Sequence, residues 1–148
     1  LRIEASREEI AAEDTVQVTA GLHEGTEVLL DITFGSAQKV ELTVAYGLER
    51  LVLRYDRQKQ SMQIDRTGMK LGARGLRTFK LFADESLAVQ LFLDRTAVEA
   101  FFQHGEQTAS FLVFPEKNIV PELLVKADGA MQKVLGTVWE LAAFQFNK

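Results

Sequence analysis

Two carboxylates on either side of a predicted turn, Asp94 and Glu99, are the residues best spaced for chemistry. Glycoside hydrolysis needs such a pair, roughly 5–5.5 Å apart in retaining enzymes, one of them with a raised pKa to serve as acid. Arg66, Arg77 and Arg95 offer cationic partners that would keep both groups ionised and so remove the acid. The expectation is structural ion pairing at a hairpin base. His23 and His104 both sit in Gly-containing turns with no second histidine at ligand spacing, so no metal site is expected. No serine stands in a nucleophile elbow. Gly68, Gly72 and Gly75 with Lys70 and Arg74 sketch a phosphate cradle, yet they miss the P-loop spacing and read as a surface loop. Trp139 suits either a sugar-stacking platform or a packing anchor between Val138 and Leu141, and packing is the expectation. There is no cysteine, hence no disulfide framework and no thiolate ligand or nucleophile. No cofactor is implied.

Charge is unevenly spread. Residues 1–49 hold ten acids and three bases, residues 50–80 nine bases and two acids, and the remainder nine acids and five bases. The basic middle lacks the aromatic interleaving of an RNA-binding surface. It is expected to lie across from acidic strands of the same domain, with no nucleic acid as partner. No apolar run approaches the ~18 residues that span a bilayer, and no membrane role is expected. A chain of 148 residues, 47% hydrophobic, suits one domain that buries roughly 68–70% of its unfolded surface. It begins at Leu1 without an initiator methionine, the expected look of a piece excised from a longer protein.

The elements that must position these residues are strands. Leu87, Val89, Leu91 and Leu93 alternate with Ala88, Gln90, Phe92 and Asp94, the period-2 pattern of a strand with one buried face. After Asp94-Arg95-Thr96, Val98, Ala100 and Phe102 return on one side with Glu99 and Phe101 on the other. His104-Gly105 makes a second turn, and Thr108–Phe114 completes a three-stranded meander that stops at Pro115. Upstream, strands are predicted over 16–20, 27–34, 39–46, 49–56, 60–65 and 76–82. Downstream, 122–127 and 131–135 are expected to form a hairpin about Asp128-Gly129, and 137–146 a final strand. Ser6-x-x-Glu9 in the first segment fits a capping box opening one helical turn or an irregular lead-in strand. Turn signals every eight to twelve residues favour an all-β, two-sheet antiparallel sandwich of about 11–12 strands over a propeller or barrel.

The meander also carries a resemblance. LFLDRTAVEAFFQHGE followed by FP resembles the signature of the C-terminal β-sandwich of glycoside hydrolase family 32, which includes invertases, levanases, inulinases and sucrose-6-phosphate hydrolases. Asp94, Arg95, Val98, Glu99, Phe101, Gly105, Glu106, Phe114 and Pro115 match. Thr96 and Ala97 replace two serines, Ala100 a β-branched residue, and Gln103-His104 the more common Asn-Asp. Tyr55-Asp56 and Ile64-Asp65-Arg66-Thr67 form a second match, and Arg77 sits where an arginine often precedes the hairpin. The similarity spans roughly residues 26 to 146.

The resemblance implies a concanavalin/galectin-like jelly roll packed against an N-terminal five-bladed propeller of the same chain, with homodimers in some members. It implies chemistry on the propeller, at the Asp of Asn-Asp-Pro-Asn, the Asp of Arg-Asp-Pro and the Glu of Glu-Cys. None of these motifs occurs here. The 148 residues are therefore expected to be a non-catalytic module of a β-fructofuranosidase-type enzyme, with a fructan- or sucrose-binding module as the alternative. A cytoplasmic bacterial sucrose or sucrose-6-phosphate hydrolase is the expected parent, a secreted levanase or inulinase the other option.

Overall fold

The computed structural model describes residues 2–19, 26–69, 75–94, 96–113 and 120–140. The alternating segments become twelve strands: β1 (Arg2–Ile10), β2 (Val16–Thr19), β3 (Thr26–Phe34), β4 (Lys39–Tyr46), β5 (Glu49–Asp56) and β6 (Ser61–Gly68), followed by β7 (Leu76–Lys80), β8 (Ser86–Leu93), β9 (Ala97–Phe102), β10 (Gln107–Leu112), β11 (Glu122–Ala127) and β12 (Met131–Glu140). They form two six-stranded sheets, ordered β1-β12-β3-β8-β9-β10 and β2-β11-β4-β5-β6-β7, with antiparallel neighbours throughout. The expected sandwich is observed.

Many of the strands bury alternate side chains against the other sheet. In β8 the buried positions are Leu87, Val89, Leu91 and Leu93; in β9 they are Val98, Ala100 and Phe102. These meet Leu42, Leu51, Leu53, Tyr55, Met62 and Ile64 of the second sheet in one continuous core. Each fully buried large side chain contributes about 1.5–3 kcal/mol by leaving water. Tyr55 also closes the joint between β7 and β8. Its hydroxyl donates to the Leu81 carbonyl at 2.7 Å and accepts from the Ala83 amide at 2.9 Å. Its ring stacks on Phe34 with centroids 6.1 Å apart, and the Arg57 guanidinium caps the Phe34 ring at 4.3 Å.

One open alternative is settled and two local expectations change. The first segment takes the strand and not the helical turn, because β12 supplies it with a ladder from Arg2↔Trp139 to Ile10↔Met131 that skips Glu9. Residues 131–140 run as one strand through Gly136, where a Cβ would strike Val18 of β2, so that glycine marks close sheet-to-sheet packing and not a break.

Asp128-Gly129 is not a hairpin turn either: β11 and β12 belong to different sheets. The dipeptide is a corner, pinned to the neighbouring corner between β3 and β4. Asp128 Oδ1 accepts from the amides of Gln38 and Lys39, both at 2.9 Å, and Gly35 and Ala37 donate to the Ala130 carbonyl. A Cβ on Gly129 would lie 2.9 Å from Ala37 backbone atoms. Long-range hydrogen bonding overrides the local turn signal.

Candidate functional site

The β8–β9 hairpin puts Asp94 and Glu99 at diagonal positions across its two strands. Leu93 pairs with Val98 and Phe92 with Glu99, while the Asp94 amide closes the turn on the Ala97 carbonyl at 2.9 Å. Glu99 therefore stands opposite Phe92, on the outer face of the first sheet, and Asp94 belongs to the turn. The arginines expected to serve this pair have other contacts. Arg66 donates to the Leu112 carbonyl at 2.6 Å and lies 6.0 Å from the Phe111 ring, tying β6 of the second sheet to the edge strand β10 of the first. Arg77 sits 5.5 Å over Phe79. Arg95 lies outside the described residues, as do His23, Lys70, Gly72, Arg74, Phe114 and Pro115.

Asp65 pairs with Arg54, one of the bases of the middle segment expected to lie across from acidic strands. Arg54, on β5, bonds Asp65 Oδ2 at 2.7 Å and Glu41 at 3.0 Å, forming a line across β4, β5 and β6. Burial alone would raise the Asp65 pKa. The Thr67 hydroxyl and amide and the Arg54 guanidinium outweigh it and hold the carboxyl below its usual range. Arg54 is pushed up, first by its bond to Asp65. Such a carboxylate is a poor proton donor near neutrality. The signal available in the sequence was cross-strand alternation, since Glu41 and Gln63 face Arg54 in the register of β4, β5 and β6.

The basic middle thus only partly matches its expected pairing with acidic strands. Arg54 does so, but Arg57 donates to the carbonyls of Ala37 and Asp84, Arg66 to that of Leu112, and Lys80 to that of Lys59. Tyr55-Asp56 has a structural explanation too: the tyrosine is the core joint, and Asp56 Oδ1 accepts from the amides of Gln58 and Lys59 to shape the next turn.

Gly105 (φ +91°) follows Gln103 (+50°) and His104 (+58°) in the β9–β10 turn. Three consecutive positive φ values suit the usual Asn-Asp better than Gln-His, because short polar side chains tolerate that region. Gln103 compensates by reaching back to β8, where its Oε1 accepts from the Ala88 amide at 2.6 Å. His104 is exposed in this turn. Among the described residues no group of three or more His, Cys, Asp or Glu is placed to hold a metal ion, and no helix is long and apolar enough to cross a membrane.

Among the described residues, concavities lie on both outer faces. One of about 530 Å³ runs over the second sheet, with Lys39, Glu41, Arg54, Gln63, Thr78 and Lys126 in its lining. Opposite charges compensate there, as Arg54 meets Glu41 and Lys126 meets Glu13 at 3.1 Å. The other, about 220 Å³, lies on the first sheet against Leu29, Ala88, Gln90, Phe101 and Leu135. Phe101 meets Phe92 edge-on at 5.7 Å, and Trp139 is half-buried on the same face, opposite Glu27.

The family model described as glycosyl hydrolases family 32 C terminal matches residues 2–140, the whole of both sheets. The chain belongs to this family. Over 70 residues the family 32 chain is 36% identical to the raffinose invertase of Escherichia coli, a stretch covering 47% of this chain and 15% of the invertase. The fold matches the exo-inulinase of Aspergillus awamori with a TM-score of 0.76 at 21% identity, covering 95% of this chain and 29% of the inulinase. It matches the sucrose-6-phosphate hydrolase of Lactobacillus gasseri with a TM-score of 0.68 at 20% identity, covering 95% of this chain and 28% of that one. The family 32 chain thus spans less than a third of the length of these relatives.

Proposed function

We propose that this chain is the non-catalytic C-terminal module of a β-fructofuranosidase-type glycoside hydrolase, and that it supports a catalytic propeller elsewhere in the same polypeptide. The family match over both sheets carries the reading. The parent would hydrolyse sucrose, sucrose 6-phosphate or a fructan, and the proposal extends to a cytoplasmic bacterial enzyme. The carboxylates support a silent module. Asp65 is held ionised by Arg54 and Thr67, and the hairpin register sets Glu99 against Phe92 while Asp94 shapes the turn. A retaining site needs one carboxyl with a raised pKa beside a nucleophile, and the Asp65 carboxyl is shifted the other way.

The test uses one preparation of this chain beside the intact parent. Reducing-sugar release from sucrose is expected from the parent and not from the chain. Trp139 is the only tryptophan, so its emission reports any saccharide that settles near it. Turnover by the chain itself would overturn the reading. A saturable emission change with a fructo-oligosaccharide would replace it with a sugar-binding module.

A further inference from the structure

The edges of the two sheets are not protected alike. β1 and β10 end the first sheet, and β2 and β7 the second. An open strand edge is a template for pairing with another chain, and native sheets blunt it with charge, shortness or a bulge. β1 carries Arg2, Glu4, Arg7, Glu8 and Glu9, and its ladder skips Glu9, at φ +57°. β2 has four residues, with a register shift opposite it between Leu123 and Leu124. β7 has five, Arg77 and Lys80 among them. β10 has none of these devices. Its sequence, QTASFL, holds no charge and no proline, and its register with β9 runs unbroken from Gln107↔Phe102 to Leu112↔Ala97.

Hydrogen bonding shows which main-chain groups β10 leaves open. The Val113 amide bonds the Thr96 carbonyl at 2.9 Å, so alternation turns Phe111 and Ala109 toward β9 and the groups of Leu112, Ser110 and Thr108 away from it. Arg66 takes the Leu112 carbonyl. Among the described residues nothing bonds the outward groups of Thr108 and Ser110. Both side chains are exposed. Phe79 of β7 packs on Phe102 of β9 with ring centroids 5.6 Å apart, so β7 ends inboard of β10 there. We infer that β10 is a self-pairing edge, through which two copies of this chain join antiparallel about a twofold axis at Ala109. Thr108 of each copy then lies opposite the partner's Ser110 and exchanges main-chain hydrogen bonds with it. This register uses the open groups and leaves the Leu112 carbonyl to Arg66. The inference rests on the module reading only in taking the intact parent as the molecule to measure. Charge favours a second copy as the occupant, since the edge itself holds none to repel. The register also sets Glu106 opposite the partner's Leu112, beside an arginine that meets no carboxylate among the described residues. The Glu99 carboxylates of the two β9 strands would stand about 14 Å apart at three strand spacings, beyond the ~8 Å Debye length at physiological salt. Such an interface is isologous and closes on itself.

Sedimentation velocity of the intact parent over a concentration series tests the inference. The parent should pass from monomer to dimer as concentration rises, and the amides of Thr108 and Ser110 should exchange with solvent at least tenfold more slowly in the dimer. Ser110→Pro removes an outward amide and leaves the β9 ladder whole, a change that an edge strand tolerates. It should weaken the dimer at least tenfold. Thr78→Pro makes the same change on the β7 edge and should leave dimerisation within twofold. If circular dichroism shows that Ser110→Pro does not fold, Ser110→Lys takes its place: it sets lysines on adjoining β10 strands and should weaken the dimer by the same factor. A parent that stays monomeric at every concentration would overturn the inference, and monomers with both amides already protected would show that another segment of the parent holds the edge. A dimer that resists the Ser110 variant, or that yields to Thr78→Pro instead, would place the contact elsewhere and overturn it too. Turnover by the chain alone would refute the module reading and leave the edge untouched, so the two failures are distinguishable.

Discussion

The two tyrosines of this chain predict opposite effects of the same substitution. Tyr55 and Tyr46 are both buried, at 0% and 5% exposure. The Tyr55 hydroxyl is fully used, donating to the Leu81 carbonyl and accepting from the Ala83 amide. Tyr55→Phe would strand a carbonyl and an amide at the β7–β8 joint, and leaving such groups unpaired costs about 1–3 kcal/mol. A loss of about 2 kcal/mol corresponds to a fall in Tm of roughly 4–8 °C for a domain of this size. The Tyr46 hydroxyl has no hydrogen-bond partner in the structure. Its desolvation is uncompensated, so Tyr46→Phe should be neutral or stabilise by up to about 1 kcal/mol. Thermal and urea unfolding of the wild type and both variants measure the difference, with the urea slope unchanged if only stability has moved. Equal destabilisation by both variants would refute the reasoning, because the hydroxyls would then be satisfied alike. A stable Tyr55→Phe variant would show that water takes over the two backbone groups.

The remaining predictions follow from the other tied groups. Burial pushes the Tyr46 phenol up to about 12, so its contribution to stability is intact below its ordinary pKa of about 10 and is lost as pH rises from there towards 12. Tyrosinate absorbance should therefore lag behind the unfolded chain over that window, and a folded-state midpoint near 10 would contradict it. Asp65 behaves in the opposite sense, because its folded pKa is depressed: its contribution is present above the unfolded value of about 3.9 and lost as pH falls through the folded one. Arg54→Met should cost about 1 kcal/mol, discounted for its partly exposed position. It should also flatten the acid limb of the stability curve, and an unchanged limb would show that Thr67 alone holds the carboxylate. Asp128→Ala removes the acceptor for two amides at the paired corners and should lower stability by about 1–2 kcal/mol in denaturant unfolding. A neutral result would mean that the remaining backbone bonds between the corners suffice.

Much of the fold was legible in the residues. β8 and β9 can be drawn from alternation alone, because one face of each is buried and a one-residue slip would turn every apolar side chain outward. The motif around Asp94 and the run Ile64-Asp65-Arg66-Thr67 pointed to the family that the match over residues 2–140 shows. The roles within those motifs were harder to read. Asp65 is defined by Arg54 and Arg66 by the Leu112 carbonyl, partners 11 and 46 residues away. Likewise, Asp128-Gly129 carries the local signature of a hairpin, but its hydrogen bonds go to Gln38 and Lys39, about 90 residues away.

The sequence by itself determined that the chain is an all-β sandwich and a relative of the family 32 enzymes, since period-2 burial and short ordered motifs are local properties. Tertiary structure alone decided which sheet each strand joins, which carboxylate meets which arginine, and which residues share each outer face. Alternation marks a buried face and an outer face on such strands and does not say what their neighbours across the sheet will be. Leu29, Phe101, Leu112 and Leu135 are separate outward residues on four strands, and only the register of β12, β3, β8, β9 and β10 gathers them into one surface.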